Sequence, residues 1–144
     1  MAEDIERKAS AGWQGSIKEG SGKFSVGSDV IQDIPYTWAS RFGTDKGTNP
    51  EELLGAAHAA CYSMNLSGLL TAKEYHIHYI NVEASVYMSS TAPRTITHIK
   101  LVVRAKVDDI EADMFQTQAE EAKRTCPLSK ALASVPIELE ASLE

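Results

Sequence analysis

The first third of the chain alternates apolar and polar residues in short runs. One alternating run covers 13–17, a run of turn-forming residues covers 19–22, and a second alternating run covers 24–26. This period of two residues, broken by glycine and serine, is typical of short β-strands joined by tight turns. A third extended segment is predicted over 30–38, bent at Pro35.

A helical pattern replaces the alternation from residue 50 onward. Asn49 is a good N-cap, Pro50 suits the first helical position, and Glu52 falls three residues after the cap. The pattern continues to about Lys73. The face that recurs every three or four positions consists of Leu54, Ala57, His58, Cys61, Met64, Asn65 and Gly68. The many small residues on this helix let another backbone approach closely, which favours a central helix in a tightly packed or intertwined assembly.

Two long alternating runs follow the helix, over 76–88 and 95–107, with turn-forming residues at 89–93 between them. They predict a pair of long antiparallel strands. Asp109 is then predicted to cap a second helix over 110–125.

The last part of the chain adds a short helix and one strand. The short helix is predicted to begin at Pro127, and strict alternation over 137–143 predicts the final strand. The order βββ-α-ββ-α-β defines an α+β fold, and 144 residues without an internal repeat predict one domain over 1–144.

Composition and charge exclude several classes of function. The formal net charge is -6 and no run of basic residues is present, which argues against binding to nucleic acid. No apolar run reaches the roughly 18 residues that a membrane span needs. The charged N-terminal segment lacks the apolar centre of a secretory signal, so we expect a cytoplasmic protein. In that compartment, two cysteines indicate a redox role or two buried thiols more than a permanent disulfide.

The two cysteines are predicted to lie in different environments. Cys126 directly precedes Pro127, so it falls at the N-cap of the short helix, where unpaired N–H groups favour a thiolate. Cys61 lies about 12 residues into the long helix, beyond the reach of the helix dipole. Apolar neighbours should raise the pKa of Cys61, and a reactive Cys61 therefore requires a nearby cation. The candidate cations are Arg41, Lys46, Arg94, Arg104, Arg124 and His58.

Metal binding is a weaker alternative. His58 and Cys61 lie one turn apart on the helix, and Cys126 could add a third ligand, but no CxxC or HExxH motif is present. We expect neither a metal nor a cofactor. A nucleophilic cysteine of the hydrolase type is disfavoured too, because no Cys-His-Asn arrangement can be placed.

Four segments of the chain resemble one known family. The segment 41–64, RFGTDKGTNPEELLGAAHAACYSM, resembles the signature of the osmotically inducible protein C family, and 125–132, TCPLSKAL, resembles its second cysteine motif. The segments 12–26 and 35–42 fit the family as well. The placement of Arg41-Phe42 shortly before the helix resembles the osmotically inducible branch more than the organic hydroperoxide resistance branch.

The resemblance implies a fold and an activity. The fold is an intertwined homodimer in which two long helices are wrapped by antiparallel sheets, with active sites at the subunit interface. The activity is a thiol-dependent peroxidase that reduces organic hydroperoxides, with hydrogen peroxide as a further candidate, in the oxidative or osmotic stress response. Cys61 matches the peroxidatic cysteine, Cys126 the resolving cysteine, Arg41 the activating arginine and Glu51 the glutamate that pairs with it. The implied reductant is a dithiol, of the lipoyl or another type.

Two further expectations concern the site. From position alone, the apolar side chains expected to bind the alkyl part of the substrate are Trp38, Phe42, Leu54 and Met64. Glu51 and Cys61 lie ten residues apart, about 15 Å along one helix. Arg41 and Glu51 are therefore expected to act on Cys61 of the partner subunit. The competing hypothesis is a non-catalytic, stress-protective binding protein whose cysteines are inert and buried.

Overall fold

The computed structural model describes residues 2–144, which form two compact units. The first unit ends at Leu53, and the second comprises Leu54–Glu144. The first unit contains β1 (Ala9–Gln14), β2 (Ser21–Val26), β3 (Ile34–Tyr36), α1 (Trp38–Phe42) and the start of α2 (Pro50–Ala72). The rest of α2 belongs to the second unit.

The first unit is a three-stranded antiparallel sheet in the order β1-β2-β3. The prediction of three short β segments is confirmed, but the boundaries differ. The first strand ends at Gln14 because Gly15 takes a left-handed φ of 87°, which turns the chain. Of the predicted segment 30–38, only Ile34–Tyr36 is a strand.

The helix α1 was not predicted. Thr37 begins it with a capping box: the Thr37 hydroxyl accepts a hydrogen bond from the Ser40 N–H at 3.1 Å. The Thr37 N–H in turn donates to the Ser40 hydroxyl at 2.9 Å. Serine replaces the usual Glu or Gln at the third helical position, so the sequence signal for this cap is weak.

The second unit contains the remaining strands and helices. These are β4 (Ile77–Met88), β5 (Ile96–Val107), α3 (Ala112–Thr125), α4 (Pro127–Ala131) and β6 (Ile137–Leu143). The sheet order is β4-β5-β6, with β4 and β5 antiparallel as predicted and β6 parallel to β5. Parallel pairing of neighbouring strands requires a crossover connection, and α3 with α4 supplies it.

The core of the second unit lies between β5 and the helices. Alternate residues of β5 are fully buried, as are one face of α2 and one face of α3. These buried apolar side chains are Tyr62, Leu66, Leu70, Ile99, Leu101, Val103, Ala105, Phe115, Ala119, Ala122 and Cys126.

The buried face of α2 differs from the predicted one. Its buried residues are Gly55, His58, Tyr62, Leu66 and Leu70. Of the predicted face, His58 is buried, Leu54, Cys61 and Asn65 are half-buried, and Ala57, Met64 and Gly68 are exposed. Small and apolar residues occur around the whole circumference of this helix, so their periodicity does not single out one face.

The exposed side of α2 is itself made of small or apolar residues. We call it the small-residue face, and it consists of Ala56, Ala57, Ala60, Met64 and Gly68. Met64 is 77% exposed. A helix that carries apolar residues on both sides is normally buried on both sides.

The predicted start of the second helix is wrong by two residues. Asp109 lies in the turn after β5 with a left-handed φ of 54°, and α3 begins at Ala112 with Glu111 at the N-cap. Asp tolerates the left-handed region in turns, which explains its use here. Of the helices in residues 2–144, none combines the length and apolar content that crossing a membrane requires.

The Tyr62 hydroxyl provides a test of the packing between α2 and α3. It is fully buried and donates to the Ala119 carbonyl at 2.8 Å. Tyr62→Phe should lower the free energy of unfolding by about 1 kcal/mol, because the buried carbonyl loses a donor. Urea denaturation measures the change. Tyr79→Phe is the matched control, because its hydrogen bond to Glu144 lies at the surface; an equal loss in both variants would contradict the assignment.

Candidate active site

The two cysteines lie side by side in the second unit. The sulfur of Cys61, on α2, is 3.2 Å from the sulfur of Cys126, which joins α3 to α4. Both are free thiols; Cys61 is half-buried and Cys126 is 0% exposed. A disulfide has an S–S length of about 2.05 Å, so a movement of about 1 Å would close the bond. The predicted pair is therefore brought together within one chain.

The backbone around Cys126 explains its position. Its N–H donates to the Ala122 carbonyl at 2.9 Å and closes α3, while its carbonyl accepts from the Lys130 N–H at 3.0 Å and opens α4. Pro127 occupies the first helical position, as predicted, and Cys126 is the N-cap. The chain therefore turns a corner at the cysteine itself, and this corner points the thiol toward α2.

Asn65 fixes this corner against α2, one turn after Cys61. Its side-chain amide donates to the Ala122 carbonyl at 3.0 Å and to the Thr125 hydroxyl at 2.8 Å. Both acceptors belong to the last turn of α3, and the Ala122 carbonyl also accepts the Cys126 N–H. The amide therefore holds Cys126 at a fixed height along α2.

The pKa values of the two thiols are shifted in opposite directions. Burial raises the pKa of Cys61, the Leu128 N–H opposes that shift, and contact with Cys126 adds to it. Burial acts on Cys126 in the same direction, but hydrogen bonds from the Ser129 N–H, the Cys61 thiol, the Ser129 hydroxyl and the Leu128 N–H outweigh it. These donors bring the pKa of Cys126 below its usual value. Both directions agree with the predictions. Of the two thiols, Cys126 is therefore the more acidic.

His58 is not the cation that Cys61 requires. Its ring is fully buried, and burial lowers the pKa of His58, so the imidazole is neutral at pH 7. Its Nε2 atom is 2.8 Å from the hydroxyl of Ser129 on α4. The inclusion of His58 among the candidate cations is therefore wrong.

The alternative of a metal at His58, Cys61 and Cys126 gains no support. Within residues 2–144, the group of three donor atoms that come close together is His76, His78 and Asp108, all exposed and within 4.8 Å of one another. Donor atoms around a tetrahedral zinc lie about 3.3 Å apart, for bonds of about 2.0 Å. His78 and Asp108 instead form a surface pair at 3.0 Å.

Arg41 and Glu51 form the predicted ion pair in the first unit. Arg41, in the last turn of α1, donates from Nη2 to Glu51 Oε1 at 2.7 Å and from Nε to both carboxylate oxygens at 3.1 and 3.2 Å. Glu51 lies in the first turn of α2, and its side chain is 12% exposed against 37% for Arg41. The planar guanidinium leaves a further edge for another acceptor.

Aromatic rings accompany this ion pair. The Arg41 guanidinium lies 5.0 Å from the ring centre of Phe42, and the rings of Phe42 and Trp38 are 5.8 Å apart. Both rings are half-buried, as is Leu54, whereas Met64 is exposed. Their expected contact with substrate stays a prediction.

Sequence reasoning missed Ser129. It lies three residues after Cys126 and hence on the same side of α4, within TCPLSKAL. The spacing was the available signal, but a serine inside a helix is ordinary, and only the contact with His58 distinguishes it.

Comparisons with known proteins show the family to which this chain belongs. The family model described as OsmC-like protein matches residues 43–140. Peroxiredoxin OsmC of Escherichia coli K12 is 42% identical over 129 residues, which cover 89% of this chain and 90% of the relative. Peroxiredoxin OsmC of Shigella flexneri matches equally well. The chain belongs to the OsmC family, and the prediction of a cysteine-based peroxidase is confirmed at this level.

Solved structures share the fold. The organic hydroperoxide resistance protein OhrB of Bacillus subtilis superposes with a TM-score of 0.69 at 22% identity, over 94% of this chain and 98% of that one. An organic hydroperoxide resistance protein of Elizabethkingia anophelis gives 0.78 at 19% identity, over the full length of both chains. The predicted α+β fold of the OsmC and Ohr type is confirmed.

The sulfur geometry predicts where an oxidant acts. Treatment with a mild chemical oxidant should produce a Cys61–Cys126 disulfide within each chain, because the two sulfurs already touch. Peptide mass mapping under non-reducing conditions should show the linked pair, and non-reducing gels should show no covalent dimer. Cys61→Ser and Cys126→Ser are the controls. A disulfide between two chains would contradict the observed pairing.

Proposed function

We propose that this protein reduces organic hydroperoxides through Cys61 and Cys126, and that a dithiol restores the pair. The observation that carries the proposal is the contact of two free thiols at 3.2 Å in a chain 42% identical to a peroxiredoxin. A hydroperoxide substrate and a reductant follow from the family. A lipoyl-type dithiol is the proposed reductant, since oxidising two neighbouring thiols requires two electrons to be returned.

The first step is attack by the Cys61 thiolate on the terminal oxygen of ROOH. The S–O bond forms as the O–O bond breaks, and the alkoxide leaves and takes up a proton to give the alcohol. Cys61 becomes a sulfenic acid. The Cys126 thiolate then attacks the Cys61 sulfur, the S–S bond forms, and hydroxide leaves as water after protonation. The pair has lost two electrons, which match the two that cleave the peroxide.

Cys61 needs help to form its thiolate, because burial raises the pKa of Cys61. We propose Arg41 as the cation and Glu51 as the residue that orients it. Arg41 can also donate to the developing alkoxide, where a fixed positive charge lowers the barrier most. The bidentate contact with Glu51 supports this role, because it fixes the plane of the guanidinium.

We further propose that Arg41 and Glu51 act on Cys61 of the partner subunit. The argument depends on an unbroken helix, and α2 runs from Pro50 to Ala72 without interruption. The rise of about 1.5 Å per residue then separates Glu51 from Cys61 by about 15 Å along the axis. An arginine held by Glu51 therefore serves a cysteine of another chain more readily than its own.

A homodimer is the assembly that this arrangement requires, and the small-residue face of α2 supports it. The face is exposed in one chain although it is composed of alanine, glycine and methionine. Small side chains allow a second helix to approach closely, and burial of the face would stabilise the dimer. We propose that the 144 residues act as one such domain in the dimer.

Trp38, Phe42, Leu54 and Met64 stay the proposed contacts for the alkyl group of the substrate. Trp38 and Phe42 are favoured, because the Phe42 ring lies beside Arg41 and the Trp38 ring lies beside Phe42. The cytoplasmic location and the stress-response role stay predictions as well. The contrasting hypothesis of inert cysteines has less support, because inert buried thiols have no need to touch each other.

Thiol titration tests the peroxidase directly. One equivalent of an organic hydroperoxide should remove both free thiols of the wild-type chain, and a dithiol should restore both. Cys126→Ser should lose only the Cys61 thiol, as a sulfenic acid that a dimedone-type probe traps. Unchanged thiols in the wild-type protein would favour the inert binding protein. A small and a bulky hydroperoxide, compared in single-turnover rates, then rank the substrates.

Mixed dimers test the action between subunits. Arg41→Ala and Cys61→Ser homodimers should each lose nearly all activity, since an oriented charge of this kind contributes about a hundredfold or more. Co-expressed with two different tags, the two variants should form a mixed dimer with one intact site and about half the wild-type activity. An inactive mixed dimer would place Arg41 beside the cysteine of its own chain.

A further inference from the structure

Four polar side chains meet in two pairs between α2 and the start of α4. His58 and Cys61 lie three residues apart on α2, and Cys126 and Ser129 lie three residues apart at the start of α4. The two pairs face each other, with the sulfurs 3.2 Å apart and His58 Nε2 at 2.8 Å from the Ser129 hydroxyl. His58 and Cys126 are 0% exposed and Ser129 is 6% exposed. Cys61, which is half-buried, is the most exposed of the four.

The burial of His58 fixes the direction of the hydrogen bonds. Its Nδ1 atom is buried and has no hydrogen-bond partner among the described residues. A buried N–H without an acceptor costs more than a buried lone pair without a donor, so the ring proton belongs on Nε2. The Nε2–H group therefore donates to the Ser129 oxygen. The Ser129 hydroxyl keeps its own proton for another acceptor. The Cys126 sulfur lies three residues earlier, at the N-cap of the same helix, and a hydrogen bond from this hydroxyl lowers the pKa of Cys126.

We propose that His58 and Ser129 are positioning residues for Cys126: the His58 N–H holds the Ser129 hydroxyl in the orientation that donates to the Cys126 thiolate. The proposal rests on the role of Cys126 as the resolving cysteine in the proposed function. His58 acts only through Ser129. It contacts neither the substrate nor the oxygen of the Cys61 sulfenic acid. Because the ring is neutral, it transmits orientation and adds no charge.

The consequence for the catalytic cycle is a fixed order of thiol exchange. During reduction, a thiolate of the dithiol attacks one sulfur of the Cys61–Cys126 disulfide, and the other sulfur leaves with the electron pair. The better-stabilised thiolate leaves faster, and the more exposed sulfur is attacked. Both criteria select Cys126 as the leaving group and Cys61 as the point of attack. A mixed disulfide on Cys61 follows, and the second thiol of the reductant then releases Cys61 and becomes a disulfide.

Titration of Cys126 alone tests the proposal without any peroxide. In a Cys61→Ala background, the ultraviolet absorbance of the thiolate is followed against pH. Ser129→Ala should shift the titration upward and leave about tenfold less thiolate at a pH below the midpoint, the effect of one lost hydrogen bond to a charged group. Ser129→Thr keeps the hydroxyl and should titrate like its parent.

Paired variants test His58 in the same way. His58→Leu removes the ring N–H and should shift the titration upward, whereas His58→Gln retains a side-chain N–H and should restore it. Cys61 and Tyr62 interact electrostatically with Cys126, and His58 is linked to it through Ser129. Burial keeps His58 and Tyr62 uncharged, since it lowers the pKa of His58 and raises that of Tyr62. Thr117→Ala is the matched control, because this helical hydroxyl bonds to the Asp113 carbonyl on α3.

A second experiment identifies the point of attack in the full chain. The disulfide is formed with diamide, a small monothiol is added, and the mixed disulfide is located by peptide mass mapping. The adduct should lie on Cys61 in the wild-type chain and should spread to both cysteines in Ser129→Ala. A Ser129→Ala chain that titrates like its parent, or an adduct mainly on wild-type Cys126, would overturn the proposal. Neither result would bear on the proposed peroxide reduction, which the titration of free thiols with a hydroperoxide tests separately.

Discussion

Buried polar contacts between α2 and the corner of α3 and α4 set the geometry on which the site depends. His58, Tyr62 and Asn65 follow one another on the inner side of α2 and reach Ser129, Ala119 and the end of α3. Each contact removes a polar group from water, so a shift of the helix by one residue would leave several of them unpaired. Apolar packing alone would tolerate such a shift better. The height of Cys61 relative to Cys126 is therefore set by hydrogen bonds.

The same contacts place the two sulfurs in environments that favour ionisation to different extents. Cys61 sits in the interior of a long helix, where neither the dipole nor a backbone N–H of that helix is free to stabilise charge. Cys126 sits where one helix ends and another begins, so donors surround it. The protein thus places its two thiols in two different electrostatic environments. Burial raises the pKa of Cys61, whereas hydrogen bonds lower the pKa of Cys126.

Much of the fold could be predicted from local chemistry. The Asn49-Pro50 start of α2 and the final strand over 137–143 have strong signals and were placed correctly. The helix α1 was not predicted because its capping box uses Ser40. The buried face of α2 was predicted wrongly because small residues occur on all sides of that helix. The cysteines were paired by family resemblance, since they lie 65 residues apart. Ser129 was missed because only its contact with His58 distinguishes it, and the two residues are close in space but distant in sequence.

The parallel pairing of β6 with β5 has a consequence for the way the chain matures. Cys126 lies on the crossover between these two strands, so the pairing of β6 with β5 closes the chain on both sides of its corner. Before that, the thiols are joined by a long flexible loop whose closure is entropically unfavourable. Before the chain folds, Cys61 is therefore an isolated, weakly acidic thiol. The redox pair is therefore complete only in the folded second unit, although its cysteines lie 65 residues apart in the sequence.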